Sequence, residues 1–288
     1  MTSTRAITGA TTVVGVIGDP VHHSLSPAIH NAAYDAIGLD AVYVAFPVAT
    51  ASGDLAVASC RTLGIRGLSV TMPHKEAVLK AADECSEDAH LLGAANTLIN
   101  NGGRIRAEST DGIGCVNALH EAGFDPVGKK CMVIGAGGAG RGVVLALCRA
   151  GAQVVVVNRS RHRGDHAVAL GGVNASIGVL DAVSDMDLVI NATSQGMGND
   201  TSLPLDPKRL RKGQFVNDLI YNPMETPLLR AALQAGAIAV DGLGMLIHQA
   251  AQQILLWTGE VAPISVMRDA ANAELDRRAA VLPTDPEG

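Results

Sequence analysis

A glycine-rich turn between a predicted strand and a predicted helix constrains the fold of this chain more than any other feature. The turn follows an apolar run at residues 131–135, and the next apolar run, at 154–158, comes at the distance expected of a βαβ unit. Such a turn lets backbone amides approach a pyrophosphate at a helix N-terminus, where the helix dipole favours anions. We therefore expect a dinucleotide to bind at Gly135, Ala136, Gly137, Gly138, Ala139 and Gly140.

The residues after the second of these strands indicate which dinucleotide binds. Enzymes that use NAD usually place Asp or Glu here to accept hydrogen bonds from the ribose hydroxyls. This chain instead has Asn158, Arg159 and Ser160, followed by Arg161 and Arg163. Because arginine binds phosphate oxygens through a bidentate fork, the segment favours the 2′-phosphate of NADP. A solvated basic loop is the alternative interpretation.

Strand-like apolar runs alternate with helical patterns along the chain, and this rhythm predicts parallel sheets joined by crossover helices. The first series of predicted strands covers residues 12–18, 41–48 and 66–71, followed by a hairpin of 97–100 and 104–107. The second series covers 131–135, 154–158, 187–193, 214–219 and 237–241. The second series is typical of a doubly wound nucleotide-binding domain.

The last part of the chain determines how the domains are arranged in sequence. Two predicted helices, at 245–258 and 263–280, have no further strand to extend the second sheet, so we expect them to return to the first domain. The prediction is an α/β protein of two domains. A discontinuous substrate domain comprises 1–110 and 243–288, and a Rossmann-type NADP-binding domain comprises 111–242. The polar tail at 282–288 is expected to be mobile.

Charge, hydropathy and cysteine content argue against several classes of function. The net charge of −6, without a run of like charges, argues against a surface for nucleic acid or anionic membranes. No window reaches about 18 uninterrupted apolar residues, and the N-terminus has no signal-peptide pattern, so no membrane span is expected. Five cysteines without a CxxC pair favour a reducing compartment, and we expect a cytoplasmic protein.

Two serines before a predicted helix at 27–37 form a candidate anion site. Ser24 and Ser26 flank Leu25 and precede Pro27, which stands at the first helical position. Two hydroxyl donors beside unpaired helix amides suit a carboxylate. The residues alone leave it equally open that Ser26 is only the N-cap of the helix.

A lysine and an aspartate are candidate proton-transfer groups. Lys75 is expected in the first turn of a helix that begins near Pro73, where a cation opposes the helix dipole and suits acid/base chemistry. An ordinary surface lysine is the alternative. Asp111, between Thr110 and Gly112, could equally be a helix N-cap.

A series of motifs along nearly the whole chain occurs in the same order as in a known protein family. The motifs are at residues 23–27, 70–75, 93–97, 110–112, 191–197, 221–223 with 226–227, and 242–246 with Gln249. Together with the glycine-rich turn, they resemble the shikimate dehydrogenase family. Ser109, Ile254 and Asp19 depart from residues common in that family, but none of the three replaces a proposed catalytic group.

The resemblance implies an NADP-dependent oxidoreductase that interconverts 3-dehydroshikimate and shikimate in chorismate and aromatic amino acid biosynthesis. It implies that Lys75 is the acid/base and that Asp111 pairs with it. Implied substrate-binding residues are Ser24, Ser26, Thr71, Asn96, Tyr221 and Gln249. Further implied cofactor-binding residues are Thr193, Ser194, Met197, Leu219, Gly242 and Met245.

Several alternatives stay open at the level of sequence. A quinate/shikimate or aminoshikimate dehydrogenase of the same family would share nearly all these residues, and a non-catalytic NADP-binding sensor is the alternative from another class. No metal is expected, because His22, His23, His30 and His74 show no recognisable ligand spacing. Either a monomer or a homodimer is compatible with the sequence.

Overall fold

The structure, a computed structural model, describes residues 6–281 and divides into two compact units. Unit 1 consists of the described residues up to Ser109 and from Ala250 onward, and unit 2 is Thr110–Gln249. The predicted division differs in that it groups Thr110 and residues 243–249 with the first domain. The tail at 282–288, expected to be mobile, lies outside the described residues.

The helices and strands alternate along most of the chain. The strands are β1 Thr12–Gly18, β2 Ala41–Pro47, β3 Gly67–Val70, β4 Glu84–Cys85, β5 Thr97–Asn101, β6 Arg104–Glu108, β7 Lys130–Ile134, β8 Gln153–Val157, β9 Ala175–Ile177, β10 Leu188–Asn191, β11 Phe215–Asp218 and β12 Ile238–Val240. The α-helices are α1 Ser26–Ala36, α2 Gly53–Thr62, α3 Lys75–Ala81, α4 Glu87–Leu92, α5 Asp111–Glu121, α6 Gly138–Arg149, α7 Arg161–Gly171, α8 Pro227–Gln234, α9 Gly242–Thr258 and α10 Ile264–Val281. These elements confirm the predicted α/β class.

Unit 1 contains a mixed sheet, with strand order β2-β1-β3-β5-β6-β4. β1 pairs in parallel with β2 and β3, whereas β5 is antiparallel to both β3 and β6. The predicted hairpin is confirmed as the antiparallel pair β5–β6, whereas the antiparallel pairing of β5 with β3 departs from the expected parallel sheet. Because β5 is antiparallel to β3, its first residues meet the end of β3, where the backbone N–H of Val70 donates to the carbonyl of Asn96 over 2.7 Å.

Trp257 anchors α9 on the sheet of unit 1. Its side chain is 1% exposed, and its indole N–H donates to the Leu98 carbonyl over 2.9 Å. Gly67 on β3 is required for this packing, because a Cβ at that position would overlap the indole ring. The end of α9 that carries Trp257 therefore packs directly on β3 and β5.

Unit 2 is a parallel sheet with order β9-β8-β7-β10-β11-β12, which numbered within the unit is the 3-2-1-4-5-6 order of a Rossmann fold. Aliphatic side chains of β7, β8 and β10, such as Val133, Val154 and Ile190, are buried with no exposed surface or almost none. The strand order reverses between β7 and β10. In open α/β sheets, ligands bind at the carboxyl ends of the strands beside such a reversal.

The predicted strands agree with the structure in kind, with differences mainly at their ends. β1 has the predicted bounds, whereas β4 and β9, of two and three residues, are absent from the prediction. The last two helices begin at Gly242 and Ile264, each close to the predicted start. Within residues 6–281 no helix has the length and apolar character needed to cross a membrane.

Candidate active site

The glycine-rich turn between β7 and α6 is closed on its protein side and open on the other. Gly135 has a φ of +106°, and a Cβ there would lie 2.9 Å from the carbonyl carbon of Ala192, in the loop after β10. A Cβ on Gly140 would overlap the carbonyl oxygen of Gly135. Nothing lies within 4 Å of a Cβ built on Gly137 or Gly138. The first turn of α6 thus leaves room for a phosphate beside its unpaired amides.

Asn158 braces this turn from the end of β8. Its side-chain oxygen accepts a hydrogen bond from the backbone N–H of Ala136 over 3.0 Å, and its amide nitrogen donates to the Ser160 carbonyl over 2.8 Å. The Asn158 side chain therefore fixes the position of the glycine turn relative to the segment that carries Arg159.

The segment after β8 offers groups suited to a second phosphate. Arg161 is ion-paired with Asp165 over 2.9 Å, but over residues 6–281 the structure gives no ion pair to Arg159 or Arg163, both of which are exposed. Ser160 occupies the N-cap position of α7, yet its side chain makes no capping hydrogen bond. A phosphate at this helix N-terminus would meet two guanidinium groups and a hydroxyl.

The loops after β10 and β11 lie beside the glycine turn. Thr193 is held in place because both its backbone N–H and its hydroxyl donate to the Asn191 side-chain oxygen, over 3.0 and 2.7 Å. The backbone of Leu219 lies so close to Gly242 that a Cβ on Gly242 would overlap its carbonyl. The side chains of Ser194 and Met197 are exposed, whereas Met245 is 9% exposed and packs into the core of unit 2.

A buried carboxylate, Asp218 at the end of β11, was missed by the sequence analysis. It accepts hydrogen bonds from the Asn191 amide over 3.0 Å, the Thr226 hydroxyl over 2.7 Å and the Ile220 N–H over 3.2 Å. Burial raises the pKa of Asp218, and these three hydrogen bonds oppose that rise. Asp218 therefore ties together the loops that carry Thr193 and Tyr221. The sequence pattern that could have indicated Asp218 is an acidic residue at the end of a strand predicted to be buried.

Asp111 and Gln249 lie on two packed helices of unit 2. Asp111 is the first residue of α5, and the N-cap position belongs to Thr110, so the N-cap interpretation of Asp111 is wrong. The Thr110 hydroxyl donates to the Gln249 side-chain oxygen over 3.5 Å. Gly114 allows this packing, because a Cβ there would lie 2.7 Å from that of Gln249. Tyr221 is partly buried three residues after β11.

In unit 1 the predicted substrate residues follow strands that end at one edge of the sheet. Ser24 and Ser26 come after β1, Thr71 and Lys75 come after β3, and Asn96 immediately precedes β5. Asn96 is 4% exposed, and its backbone is fixed on both sides, since its N–H donates to Glu108 and its carbonyl accepts from Val70. The ends of β1 and β3 and the start of β5, which these five residues follow or precede in sequence, therefore lie on the same side of the sheet.

Ser26 is the first residue of α1 and does not act as its N-cap. The N-cap position is occupied by Leu25, and no side chain caps the helix. Instead, the Ser24 hydroxyl oxygen accepts a hydrogen bond from the Ser26 backbone N–H over 3.1 Å. The N-cap interpretation of Ser26 is thus wrong, because the N-cap position belongs to Leu25.

Lys75 is the first residue of α3, two residues later than the predicted start of this helix. Its side chain is half-buried, and its backbone carbonyl accepts from the Ala95 N–H over 3.0 Å. This bond joins the start of α3 to the residue before Asn96. Because the bond uses only the backbone, replacing the Lys75 side chain leaves it intact.

Arg278 on α10 holds the loop that carries the two serines. Its guanidinium donates to the carbonyls of His23 over 2.6 Å and Ser24 over 3.0 Å. Glu274, one turn earlier, accepts from Arg278 over 2.7 Å and from Arg277 over 2.8 Å. Hydrogen bonds from these arginines hold the pKa of Glu274 down to about 2.

Replacing Glu274 with glutamine is expected to lower Tm near neutral pH. Because the pKa of Glu274 is depressed in the folded state, its carboxylate stabilises the fold when the pH is above the ordinary glutamate pKa of about 4.3. This contribution is lost as the pH falls toward the folded-state pKa of about 2. Thermal unfolding across this pH range should show that Glu274→Gln lowers the free energy of unfolding by about 1 kcal/mol near neutral pH. The stability of the variant should also change less than that of the parent as pH falls. Glu84→Gln, which breaks an exposed pair with Arg104, is the control. Equal Tm values for Glu274→Gln and the parent protein would show that the Glu274 carboxylate does not stabilise the fold through its hydrogen bonds with the two arginines.

The histidines near the serine loop have structural or solvated surroundings. His30 is fully buried, with its Nδ1 2.9 Å from the Ser26 carbonyl, and burial lowers its pKa to about 4. His74 is buried with its Nε2 2.9 Å from the Val48 carbonyl, whereas His22 and His23 are exposed. Among residues 6–281, no three His, Cys, Asp or Glu side chains cluster as metal ligands would.

Comparison with known proteins gives three family matches along the chain. Residues 16–98 match a shikimate dehydrogenase substrate binding domain, residues 118–197 match shikimate / quinate 5-dehydrogenase, and residues 242–271 match a shikimate 5′-dehydrogenase C-terminal domain. A shikimate dehydrogenase (NADP(+)) of Methanopyrus kandleri is 44% identical over 284 residues, covering 94% of this chain and 98% of the relative.

Solved structures of similar proteins contain different cofactors. The shikimate 5-dehydrogenase of Thermus thermophilus, in complex with NADP(H) and shikimate, has a TM-score of 0.87 and 35% identity, covering 91% of this chain and 99% of that one. A quinate dehydrogenase of Corynebacterium glutamicum in complex with NAD has a TM-score of 0.84 and 32% identity, covering 91% of this chain and 99% of that one.

Proposed function

This chain belongs to the shikimate dehydrogenase family, and from that premise we propose that it catalyses the NADP-dependent, reversible reduction of 3-dehydroshikimate to shikimate. The observation that carries the proposal is the shared sheet edge in unit 1. The segments that adjoin it in sequence carry two serines, a threonine, an asparagine and a lysine. Such a set matches a substrate with one carboxylate, several hydroxyls and an oxygen that exchanges a proton.

The cofactor site of unit 2 fits NADP. The open side of Gly137 and Gly138 suits the pyrophosphate, and Asn158 braces that turn. Arg159, Ser160 and Arg163 suit the 2′-phosphate. Thr193, Ser194, Met197, Leu219, Gly242 and Met245 complete the proposed cofactor residues, and the bound cofactor supplies the hydride.

Lys75 is proposed to move the proton in this reaction. When the ketone is reduced, its oxygen gains negative charge, and the Lys75 ammonium donates a proton to it; in the reverse direction the amine accepts the hydroxyl proton. Asp111 is proposed as the carboxylate that orients this ammonium and balances its charge. Ser24 and Ser26 hold the substrate carboxylate, while Thr71, Asn96, Tyr221 and Gln249 bind its other oxygens.

Alanine substitutions at Ser24 and Ser26 are expected to raise the KM for shikimate about tenfold each, with little change in kcat. Both hydroxyls hold a group that does not react, so each should contribute equally to the ground state and the transition state. Steady-state kinetics measure both constants, and Ser59→Ala, at an exposed position of α2, is the control. If KM stays unchanged in folded variants, the carboxylate site lies elsewhere.

The preferred substrate within the family is tested by a panel of shikimate and quinate, each with NADP and NAD. The proposal predicts the highest kcat/KM for shikimate with NADP. A higher kcat/KM for quinate would identify a quinate/shikimate dehydrogenase, and rapid turnover of an amino-substituted analogue would identify an aminoshikimate dehydrogenase. Tight NADP binding without turnover of any substrate would identify a sensor.

The proposed compartment is the cytoplasm, and the proposed assembly is a monomer or a homodimer that binds neither nucleic acid nor membranes. All five cysteines are free thiols, and four of them are buried. Burial raises the pKa of the Cys60 thiol to about 11 and that of Cys115 to about 12, which keeps both thiols protonated. Such cysteines are suited to a reducing environment.

A further inference from the structure

A chain of hydrogen bonds between buried side chains crosses unit 1 from β2 to the start of β5. The Tyr43 hydroxyl donates to the Ser69 hydroxyl over 2.6 Å, and Ser69 donates to the Gln253 side-chain oxygen over 2.7 Å. The Gln253 amide nitrogen donates to the Thr97 hydroxyl over 3.0 Å and to the Asn96 backbone carbonyl over 3.5 Å, and Thr97 donates to the Asn96 side-chain oxygen over 3.0 Å. The chain of bonds therefore ends on a proposed substrate residue.

Gln253 sets the direction of these hydrogen bonds. Its oxygen can only accept and its nitrogen can only donate, whereas a hydroxyl has a single proton to give. Since Thr97 accepts from the Gln253 nitrogen, its own proton is available for Asn96. Gln253 and Thr97 have no exposed surface, so water does not replace these bonds.

The orientation of the Asn96 side-chain amide follows from this direction. Its backbone is fixed by hydrogen bonds to Glu108 and Val70, so rotation of the side chain is the freedom that remains. With its oxygen accepting from Thr97, the amide nitrogen is the end of Asn96 suited to a substrate oxygen. If Thr97 donated elsewhere, the amide could turn over and present an acceptor in its place.

We propose that Gln253 is a positioning residue that acts through Thr97 to hold the Asn96 amide as a hydrogen-bond donor for a hydroxyl or carboxylate oxygen of the substrate. This inference rests on the proposed function, because it takes Asn96 as a substrate-binding residue. Gln253 is on α9, so that helix contributes to substrate recognition from behind the sheet as well as through Gln249.

The substitution Gln253→Glu tests this role with almost no change in volume. An ionised carboxylate offers two acceptors, so Thr97 would donate to the introduced carboxylate instead of Asn96. A protonated carboxyl offers one donor and one acceptor, and it reproduces the pattern of the amide. The variant is therefore expected to bind shikimate about tenfold more weakly at the upper end of the pH range, and to approach the parental affinity as pH falls.

The titratable groups packed around Gln253 are His30 on α1 and Tyr43 on β2. Burial lowers the pKa of His30 to about 4 and raises that of Tyr43 above its ordinary value. In the parent protein neither group changes charge between about pH 6 and pH 9, so a pH dependence found only in the variant arises from the introduced carboxyl together with His30, which interacts with Gln253.

The experiment measures the Kd of shikimate by calorimetry without cofactor, and KM and kcat with NADP, across this pH range. Gln252→Glu, the same change at the neighbouring half-buried position of α9, is the control and is expected to retain the parental Kd. Thr97→Val removes the hydroxyl and is expected to weaken shikimate binding, while Thr97→Ser retains it and is expected to restore binding. NADPH affinity is expected to stay parental in every variant.

A double-mutant cycle with Asn96→Ala separates positioning from a general structural effect. If Gln253 acts through Asn96, then Gln253→Glu adds little to the loss already caused by Asn96→Ala. Parental shikimate affinity in folded Gln253→Glu at all pH values, or a full additional loss in the Asn96→Ala background, would overturn the inference. If Gln253→Glu does not fold, parental affinity in Thr97→Val would overturn it. Parental affinity in Asn96→Ala itself would instead remove Asn96 from the proposed site.

Discussion

Replacing Lys75 with alanine is expected to lower kcat by about 10² to 10⁴-fold, the range typical of losing a positioned general acid or base. NADPH affinity should stay close to parental, because Lys75 is in unit 1 and the glycine turn is in unit 2. The variant should fold, since the Lys75 backbone bond to Ala95 does not involve the side chain. Steady-state kinetics and an NADPH titration measure the two effects separately.

A lysine on the same helix provides the control for this result. Lys80 is exposed in the last turn of α3, and Lys80→Ala is expected to retain the parental kcat. Asp111→Asn should also be impaired, because an amide lacks the charge that stabilises the ammonium. If the two residues act as one unit, the double variant loses much less than the product of the single losses. Near-normal turnover in folded Lys75→Ala from about pH 6 to pH 10 would contradict the mechanism.

Replacing Arg159 with aspartate is expected to reduce kcat/KM for NADP tenfold or more, with a much smaller effect on NAD. A charge-assisted hydrogen bond to a phosphate contributes about 1.5 to 3 kcal/mol, and about 1.4 kcal/mol corresponds to a factor of ten. The new carboxylate would repel the 2′-phosphate and could accept hydrogen bonds from ribose hydroxyls. The ratio of kcat/KM for NADP to that for NAD is the measurement.

Arg161→Asp makes the same change in charge two residues away and is the control. Arg161 is paired with Asp165, so it is expected to contribute little to the choice of cofactor. An unchanged NADP preference in Arg159→Asp would show that this arginine does not bind the 2′-phosphate. Arg163 would then be the next residue to replace.

The sequence predicts best those features that depend on neighbours along the chain. The glycine turn, the strand before it and the helix after it are local, and each is found where it is predicted. The antiparallel pairing of β5 with β3 joins segments that are distant along the chain, and no local pattern specifies that choice. The strand at Ala175–Ile177 is too short to give a clear alternation of apolar and polar residues.

Some site residues can be recognised from neighbouring residues in the sequence, whereas others can be recognised only from contacts that the fold creates. Ser24, Lys75 and Asp111 stand in recognisable motifs, so their candidacy can be read from the sequence. Gln253 cannot be recognised in this way, because its hydrogen-bond partners Ser69 and Thr97 are 184 and 156 residues away along the chain. A polar residue in the middle of an apolar helix gives no sign of a partner until the fold brings the two together.

The proposed reaction is tested most directly by adding 3-dehydroshikimate to the purified protein with NADPH and measuring both cofactor oxidation and product. We expect oxidation of NADPH with formation of an equal amount of shikimate, and a much lower rate when NADH replaces NADPH. Failure to form shikimate in a folded preparation that binds NADPH would contradict the central claim.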